Sequence, residues 1–327
     1  MADTTLAIPQ EITDLPNAER QSITLFNSNV IDGTDGNDII ATTAQDDMVN
    51  ALAGNDIIIG SKGNDIIDGG QGKDTVNYSA LGGPVRLGAA GKVFKGKDGA
   101  FGTDQLFGIE TIVGSKGAGD TIDGSTATSG TVPINVDLSK QTLSVIGVPG
   151  LGTLNFTVKN FEDVIGTGAN DIITGDIKNN KLNGGDGNDI LTGTIGSFAG
   201  STEVDTLTGG AGNDTFVLGS GDTLFYSGNG DADFAKITDF GNGADQIFLA
   251  NGNYATNDDI TKLFAIKADG SLDLIAKIAY AQGSSSTSQR QASAFALSDA
   301  TVNPLLTNTT FSLSQGQSFG IFTAGVA

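Results

Sequence analysis

The chain has 327 residues, with 17 basic against 38 acidic side chains and a formal net charge of −21. That balance argues against nucleic acid or an anionic membrane as a partner. His and Cys are absent, which excludes disulfides, His- or Cys-ligated zinc and any Cys or Ser-His-Asp nucleophile. Hydrophobic residues at 38% argue against simple disorder, and no run of 18 apolar residues is present to span a membrane as a helix.

Residues 1–32 are polar, with Pro9 and Pro16 as breakers. The stretch SITLF (22–26) is expected to form a strand or to cap the first coil of a solenoid beginning near residue 33, because an open solenoid end exposes unpaired backbone. Met1 to Pro16 has neither a basic start nor an apolar core, so no cleaved N-terminal signal is visible.

Residues 33–77 divide into nines: GTDGNDIIA, TTAQDDMVN, ALAGNDIII, GSKGNDIID, GGQGKDTVN. The sixth position is always Asp (Asp38, Asp47, Asp56, Asp65, Asp74) and the eighth is aliphatic (Ile40, Val49, Ile58, Ile67, Val76). Six residues rich in Gly, Asn and Asp make a turn, since several must take φ > 0. Three more make a short strand whose middle side chain points inward. Two nines then complete an 18-residue coil, which predicts an all-β parallel β-roll or β-helix solenoid. Asp38, Asp56 and Asp74 should stack along one edge, and Asp47 and Asp65 along the other. Two bare carboxylates ~5 Å apart repel by roughly 3 kcal/mol at an effective dielectric near 20. A hard cation reverses that repulsion, and calcium suits it because it accepts six to eight oxygens in flexible geometry. Magnesium, which demands a tight octahedron and keeps its waters, suits it poorly.

The period is lost over residues 78–165. Val85-Arg86-Leu87 and Lys92-Val93-Phe94 read as strands around a GKDG turn (96–99). A partial duplicate comes next, in which PINVDL echoes PVRL and FEDVIG (161–166) repeats IETIVG (109–114). Both inserts are expected to add larger coils to the same solenoid, the alternative being an independent small β domain. A degenerate repeat at 115–123 carries Asp120. A second block spans 166–250, with Asp171, Asp189, Asp205, Asp214 and Asp222 at the metal position and Asn180 where Asp belongs. Asp171 should stack with Asp189 and Asp214, and Asp205 with Asp222. Asp239 and Asp245, in DFAKITDFGNGADQIFLA, are either further ligands or turn formers. Residues 251–327 are read as a C-terminal β cap with a flexible loop at 283–293; from Gln291 onward Asp299 is the only charged side chain.

GGDGNDILT (184–192), GGAGNDTFV (209–217) and the first block resemble the RTX family of bacterial calcium-binding proteins. The resemblance implies several calcium ions, held by the Asp residues named above. Backbone carbonyls of Gly33, Asp35, Ala51, Ala53, Gly60, Lys62, Gly69, Gln71, Gly184 and Asp186 are expected to add oxygens. It also implies an extracellular or cell-surface protein exported by the type I secretion machinery through a C-terminal signal, for which the charge-poor tail is the candidate. The zinc segment of the RTX proteases is missing, so protease activity is not implied. A glycosidase-like carboxylate pair is the remaining catalytic option, and Glu110 and Glu162 are the acids the ladders leave over.

The expectation is therefore a non-enzymatic, calcium-dependent structural or surface protein, one able to self-assemble. A carbohydrate-binding or adhesion module is the alternative, although few Lys or Arg are present to build a groove for acidic polymers. Ice binding needs a regular Thr/Asn ladder, whereas the seventh position holds Ile39, Met48, Ile57 and Ile66. In this pattern the seventh and ninth residues point outward, so Ile39, Ile57 and Ile59 should form an apolar patch on one face.

Overall fold

Each nonapeptide folds as a turn and a short strand: Ile39–Ala41, Asp47–Asn50, Ile57–Ile59, Ile66–Asp68 and Thr75–Asn77. The computed structural model describes residues 29–117, 119–127, 132–196, 200–257, 260–281, 295–297 and 320–324. The strands alternate between two sheets, so each pairs in parallel with the strand two nonapeptides on: Ile39 with Ile57, Ile57 with Thr75, and Met48 with Ile66. Glycine permits the tight stacking of the turns. At Gly72 φ is +145°, and a Cβ there would collide with the Gly54 carbonyl of the coil beneath. The eighth-position residues Ile40, Val49, Ile58, Ile67 and Val76 face the interior and are buried. Each contributes about 1.5–3 kcal/mol of burial free energy.

The first sheet runs through Asn29–Asp32, Asp47–Asn50, Ile66–Asp68 and Gly102–Phe107, and later Thr121–Asp123, Asp163–Ile165, Lys181–Asp186, Val204–Ala211 and Phe234–Phe240. The second runs through Ile39–Ala41, Ile57–Ile59, Thr75–Asn77 and Thr111–Val113, and later Ile172–Thr174, Ile190–Thr192, Thr215–Val217 and Gln246–Leu249. The inserts enter these sheets as antiparallel hairpins. Val85–Leu87 and Lys92–Lys95 join the first sheet, pairing antiparallel with each other, and Lys92–Lys95 pairs antiparallel with Gly102–Phe107 as well. Ile134–Asp137, Thr142–Val148 and Gly152–Lys159 join the second. The duplicated IETIVG and FEDVIG segments thus enter opposite sheets, as Thr111–Val113 and Asp163–Ile165. Among the described residues there is no α-helix, only short 3-10 turns.

One feature departs from the sequence reading. LGSGDTLF is not a shortened coil: Gly219–Ser220 and Thr223–Leu224 fold back on each other as a small antiparallel hairpin. The hairpin turns Phe225 and Tyr226 into the core, and this apolar burial outweighs the repeat pattern. At the far end, Gly252–Thr256, Lys262–Ile266 and Leu272–Tyr280 form an antiparallel set, with the last strand running parallel to Phe234–Phe240. Tyr254, Leu263, Leu274 and Ile275 are buried there. The expected SITLF strand, the loop at 283–293 and most of the charge-poor tail lie outside the described residues.

Candidate metal centre

The sixth-position acids form two ladders, one along each turn edge. Past the first acid of each edge, one carboxylate oxygen of each rung acid accepts a backbone N–H from the strand stacked before it. Along one edge Asp38 N–H donates to Asp56 Oδ1 (2.7 Å), Asp56 to Asp74 (2.8 Å) and Asp74 to Glu110 Oε2 (2.8 Å). Beyond the second insert the same edge continues: Ile134 donates to Asp171 (2.7 Å), Asp171 to Asp189 (2.8 Å), Asp189 to Asp214 (2.9 Å) and Asp214 to Asp245 (2.9 Å). Along the other edge Asp47 donates to Asp65 (3.0 Å) and Asp65 to Asp104 (3.0 Å). After the first insert Val85 donates to Asp120 (2.7 Å), Asp120 to Glu162 (2.9 Å) and Asn180 to Asp205 (2.8 Å).

The second carboxylate oxygen has three fates. In Asp38, Asp47 and Asp171 it is capped by the threonine four residues earlier, through N–H and hydroxyl: Thr34 (2.6 and 2.9 Å), Thr43 (2.5 and 2.9 Å) and Thr167 (2.6 and 3.1 Å). In Asp65 and Asp205 it meets a bulky side chain. Lys95 Nζ lies 3.0 Å from Asp65 Oδ2, and the Tyr226 hydroxyl donates to Asp205 Oδ2. In Asp56, Asp74, Asp120, Asp189 and Asp214 the Oδ2 atom is buried and has no partner. An uncompensated buried carboxylate oxygen is costly, so these five are where the fold leaves room for a cation.

Their surroundings fit one. A Cβ at Gly69 would collide with both Asp74 Oδ2 and the Gly108 carbonyl. Gly114 stands in the same relation to Asp120 Oδ2 and the Asn160 carbonyl, and Gly184 to Asp189 Oδ2 and the Gly209 carbonyl. Free carboxylate oxygen and next-coil carbonyl thus converge on a space that only glycine leaves open. Nowhere among the described residues do three acidic side chains gather at one point. At Asp74, Asp120 and Asp189 the carboxylate is thus joined by a backbone carbonyl, a hard all-oxygen donor set of the kind calcium takes.

The expected backbone donors divide accordingly. The carbonyls of Ala51 and Gly184 face the turns of Gly33 and Gly166, beside the threonine-capped Asp38 and Asp171. Gly33, Asp35 and Gly69 lie in turns, Ala53 and Gln71 pair in a minor two-stranded sheet, and Asp186 pairs with Ala211. The Lys62 carbonyl accepts the Ser61 hydroxyl (3.1 Å). Gly60 departs from expectation, since the space before it is filled by the Tyr78 ring. Asp65 and Asp205 depart for the same reason: side chains occupy what sequence alone presents as open cradles. Asp222 does not stack on Asp205. It is exposed in the hairpin and accepts from Asn251 Nδ2 (2.9 Å), while Asp205 pairs in register with Ala235. Asn180 satisfies itself, its Oδ1 accepting Asp176 N–H (2.8 Å) and its Nδ2 donating to the Glu162 carbonyl (2.7 Å). Asp239 spends both oxygens on the amides of Gly209 and Gly210 (2.9 and 2.8 Å).

Four rung acids escaped the period count: Asp104, Glu110, Glu162 and Asp245. The inserts shift them off the nine-residue phase. A shorter signal finds them, an acid two residues before an inward apolar residue, as in Asp104-Gln-Leu106 and Glu110-Thr-Ile112.

Burial, with neighbouring acids adding to it, pushes the Asp189 carboxyl up to about 7 and Asp214 to about 6, and also raises Asp74 and Asp120. Without metal, the folded chain therefore binds protons more tightly than the unfolded chain, whose carboxylates titrate near 3.8. Stability of the metal-free fold is then greatest at acid pH and is lost as pH rises through about 6 to 7. In chelator, β-sheet circular dichroism is expected to grow as pH falls from 7.5 to 5; a decrease over that range contradicts it.

The fold and these positions define a parallel β-roll whose coils are joined by acidic ladders open to cations. The model of the RTX calcium-binding nonapeptide repeat matches four times, over residues 26–58, 42–76, 165–197 and 198–234. The chain therefore carries RTX calcium-binding nonapeptide repeats over these stretches. No curated protein matches it. Among solved structures it is similar to the extracellular lipase LipA from Serratia marcescens, at 19% identity and a TM-score of 0.25, over 84% of this chain and 41% of that one. The chain thus spans less than half the length of that lipase. No helix among the described residues is long and apolar enough to cross a membrane.

Proposed function

We propose that this is a secreted protein with an extracellular structural or cell-surface role, whose β-roll folds as it takes up calcium after export. The reading rests on one observation above all: the buried, partnerless Oδ2 atoms of Asp56, Asp74, Asp120, Asp189 and Asp214. These acids hold the ions, with the carbonyls of Gly108, Asn160 and Gly209 as partners at three of the positions. The bound metal supplies charge neutralisation between coils. The chain's own residues set the spacing, exclude water through the inward apolar row, and carry no catalytic step in this reading. Export is supported by the repeats, which are typical of secreted proteins, and passage through a type I machinery by the charge-poor stretch from Gln291 to Ala327.

Assembly belongs to the same reading. Ile39, Ile57 and Ile59 are 75%, 41% and 38% exposed, whereas Met48 and Ile66 on the other sheet are 7% exposed each. Apolar patches of this kind mark interfaces. Calorimetric calcium titration combined with light scattering tests both parts. Several ions and a calcium-loaded species heavier than one chain are expected, with the triple variant Ile39→Thr, Ile57→Thr, Ile59→Thr returning the mass to a single chain. Absence of calcium uptake refutes the function, and equal masses for both proteins refute the assembly.

A further inference from the structure

The rung formed by Asp65 and Asp104 differs from the partnerless ones in what fills it. Lys95 arrives on the strand Lys92–Lys95 of the first inserted hairpin. Its side chain is fully buried and lies against Asp65 Oδ2 at 3.0 Å and against Asp104 Oδ1. The Tyr78 hydroxyl donates to the remaining Asp104 oxygen, Oδ2, at 2.7 Å, and its ring closes the space in front of Gly60. Every carboxylate oxygen of this rung therefore has a partner from the chain itself: Asp65 Oδ1 from Asp47 N–H, Asp104 Oδ1 from Asp65 N–H, and the others from Lys95 and Tyr78. A lysine is almost never buried without paired charges. Here it sits between two successive ladder acids, the place that calcium takes at the partnerless rungs under the proposed function, on which this inference rests.

We propose that Lys95 is a resident cation standing in for calcium between Asp65 and Asp104, so that this rung takes up no metal unless the ammonium is removed. The inserted hairpin then does more than enlarge a coil. It carries a positive charge to the point where the first block of repeats ends on that edge, and seals the ladder there independently of the calcium supply.

Ion counting on the refolded full-length protein, by calorimetry and native mass spectrometry with calcium as the sole ligand, tests this. Asp65→Asn is expected to leave the number of bound ions unchanged, because Asp65 meets Lys95 and not metal. Lys95→Ala vacates the space and leaves two facing carboxylates, and is expected to raise the number by one. Loss of an ion in Asp65→Asn overturns the proposal, as does an unchanged count in Lys95→Ala. Failure of Lys95→Ala to fold at any calcium concentration also overturns it, since a cation would then be unable to replace the ammonium. Asp74→Asn separates this inference from the one beneath it. That variant is expected to lose at least one ion, and if it loses none, the calcium reading of the partnerless rungs fails instead.

Discussion

Excess chelator at neutral pH is expected to abolish most of the β-sheet circular dichroism of the calcium-loaded protein, and millimolar calcium to restore it. Successive rungs are one strand spacing apart, about 4.8 Å. Bare carboxylates at that distance repel by about 3 kcal/mol at an effective dielectric near 20. The partnerless oxygens of Asp56 and Asp74 belong to adjacent rungs, as do those of Asp189 and Asp214. Two such pairs amount to about 6 kcal/mol, comparable to the whole stability of a typical domain, about 5–15 kcal/mol. Burial prevents water from screening them: Asp56, Asp74, Asp189 and Asp214 are each 1% exposed. Metal binding is then largely folding free energy. A full β spectrum in chelator, unchanged by calcium, would sink the idea.

Asp74→Ala is expected to destabilise the calcium-loaded protein by about 3–5 kcal/mol, the usual cost of breaking a buried charged pair, against about 1 kcal/mol for Asp38→Ala, the net worth of an ordinary hydrogen bond. Both acids stand on the same edge. Asp74 accepts Asp56 N–H at 2.8 Å, passes its own N–H to Glu110, and keeps a partnerless oxygen beside the Gly108 carbonyl. Its removal strands a buried donor and loses the ion together. Asp38 is half-buried at the start of the ladder, and its Oδ2 is already served by Thr34. Urea denaturation of both variants at one fixed calcium concentration measures the difference. Equal losses would mean that the ladder does not depend on its inner rungs.

The period of nine determined a great deal by itself. Alternation within three-residue strands decides which side chain faces the core, although in the first sheet the expected outward Met48 and Ile66 are buried as well, and glycine at the turns decides how closely coils stack. Both are local effects, legible at Ile58 or Gly72 without knowing any distant residue. The threonine caps are equally local, since Thr34, Thr43 and Thr167 each reach an acid four residues on. What became of the remaining carboxylate oxygens was decided only by the tertiary structure. Lys95 is 30 residues from Asp65, and Tyr226 is 21 from Asp205. Lys95 lies on an inserted hairpin outside the matched repeats and Tyr226 just after the small hairpin of Gly219–Ser220 and Thr223–Leu224, and each reaches its acid because the local chain folds back into the coil. Asp222 matches the motif, yet burial of Phe225 and Tyr226 draws its segment into a hairpin and leaves the carboxylate in solvent. An acid at the sixth position marks a rung only where its nonapeptide folds as a full coil, which that of Asp222 does not. Whether that rung is open to metal depends on side chains that approach through space, because the cost of a buried charge is met by whichever partner the fold brings within reach.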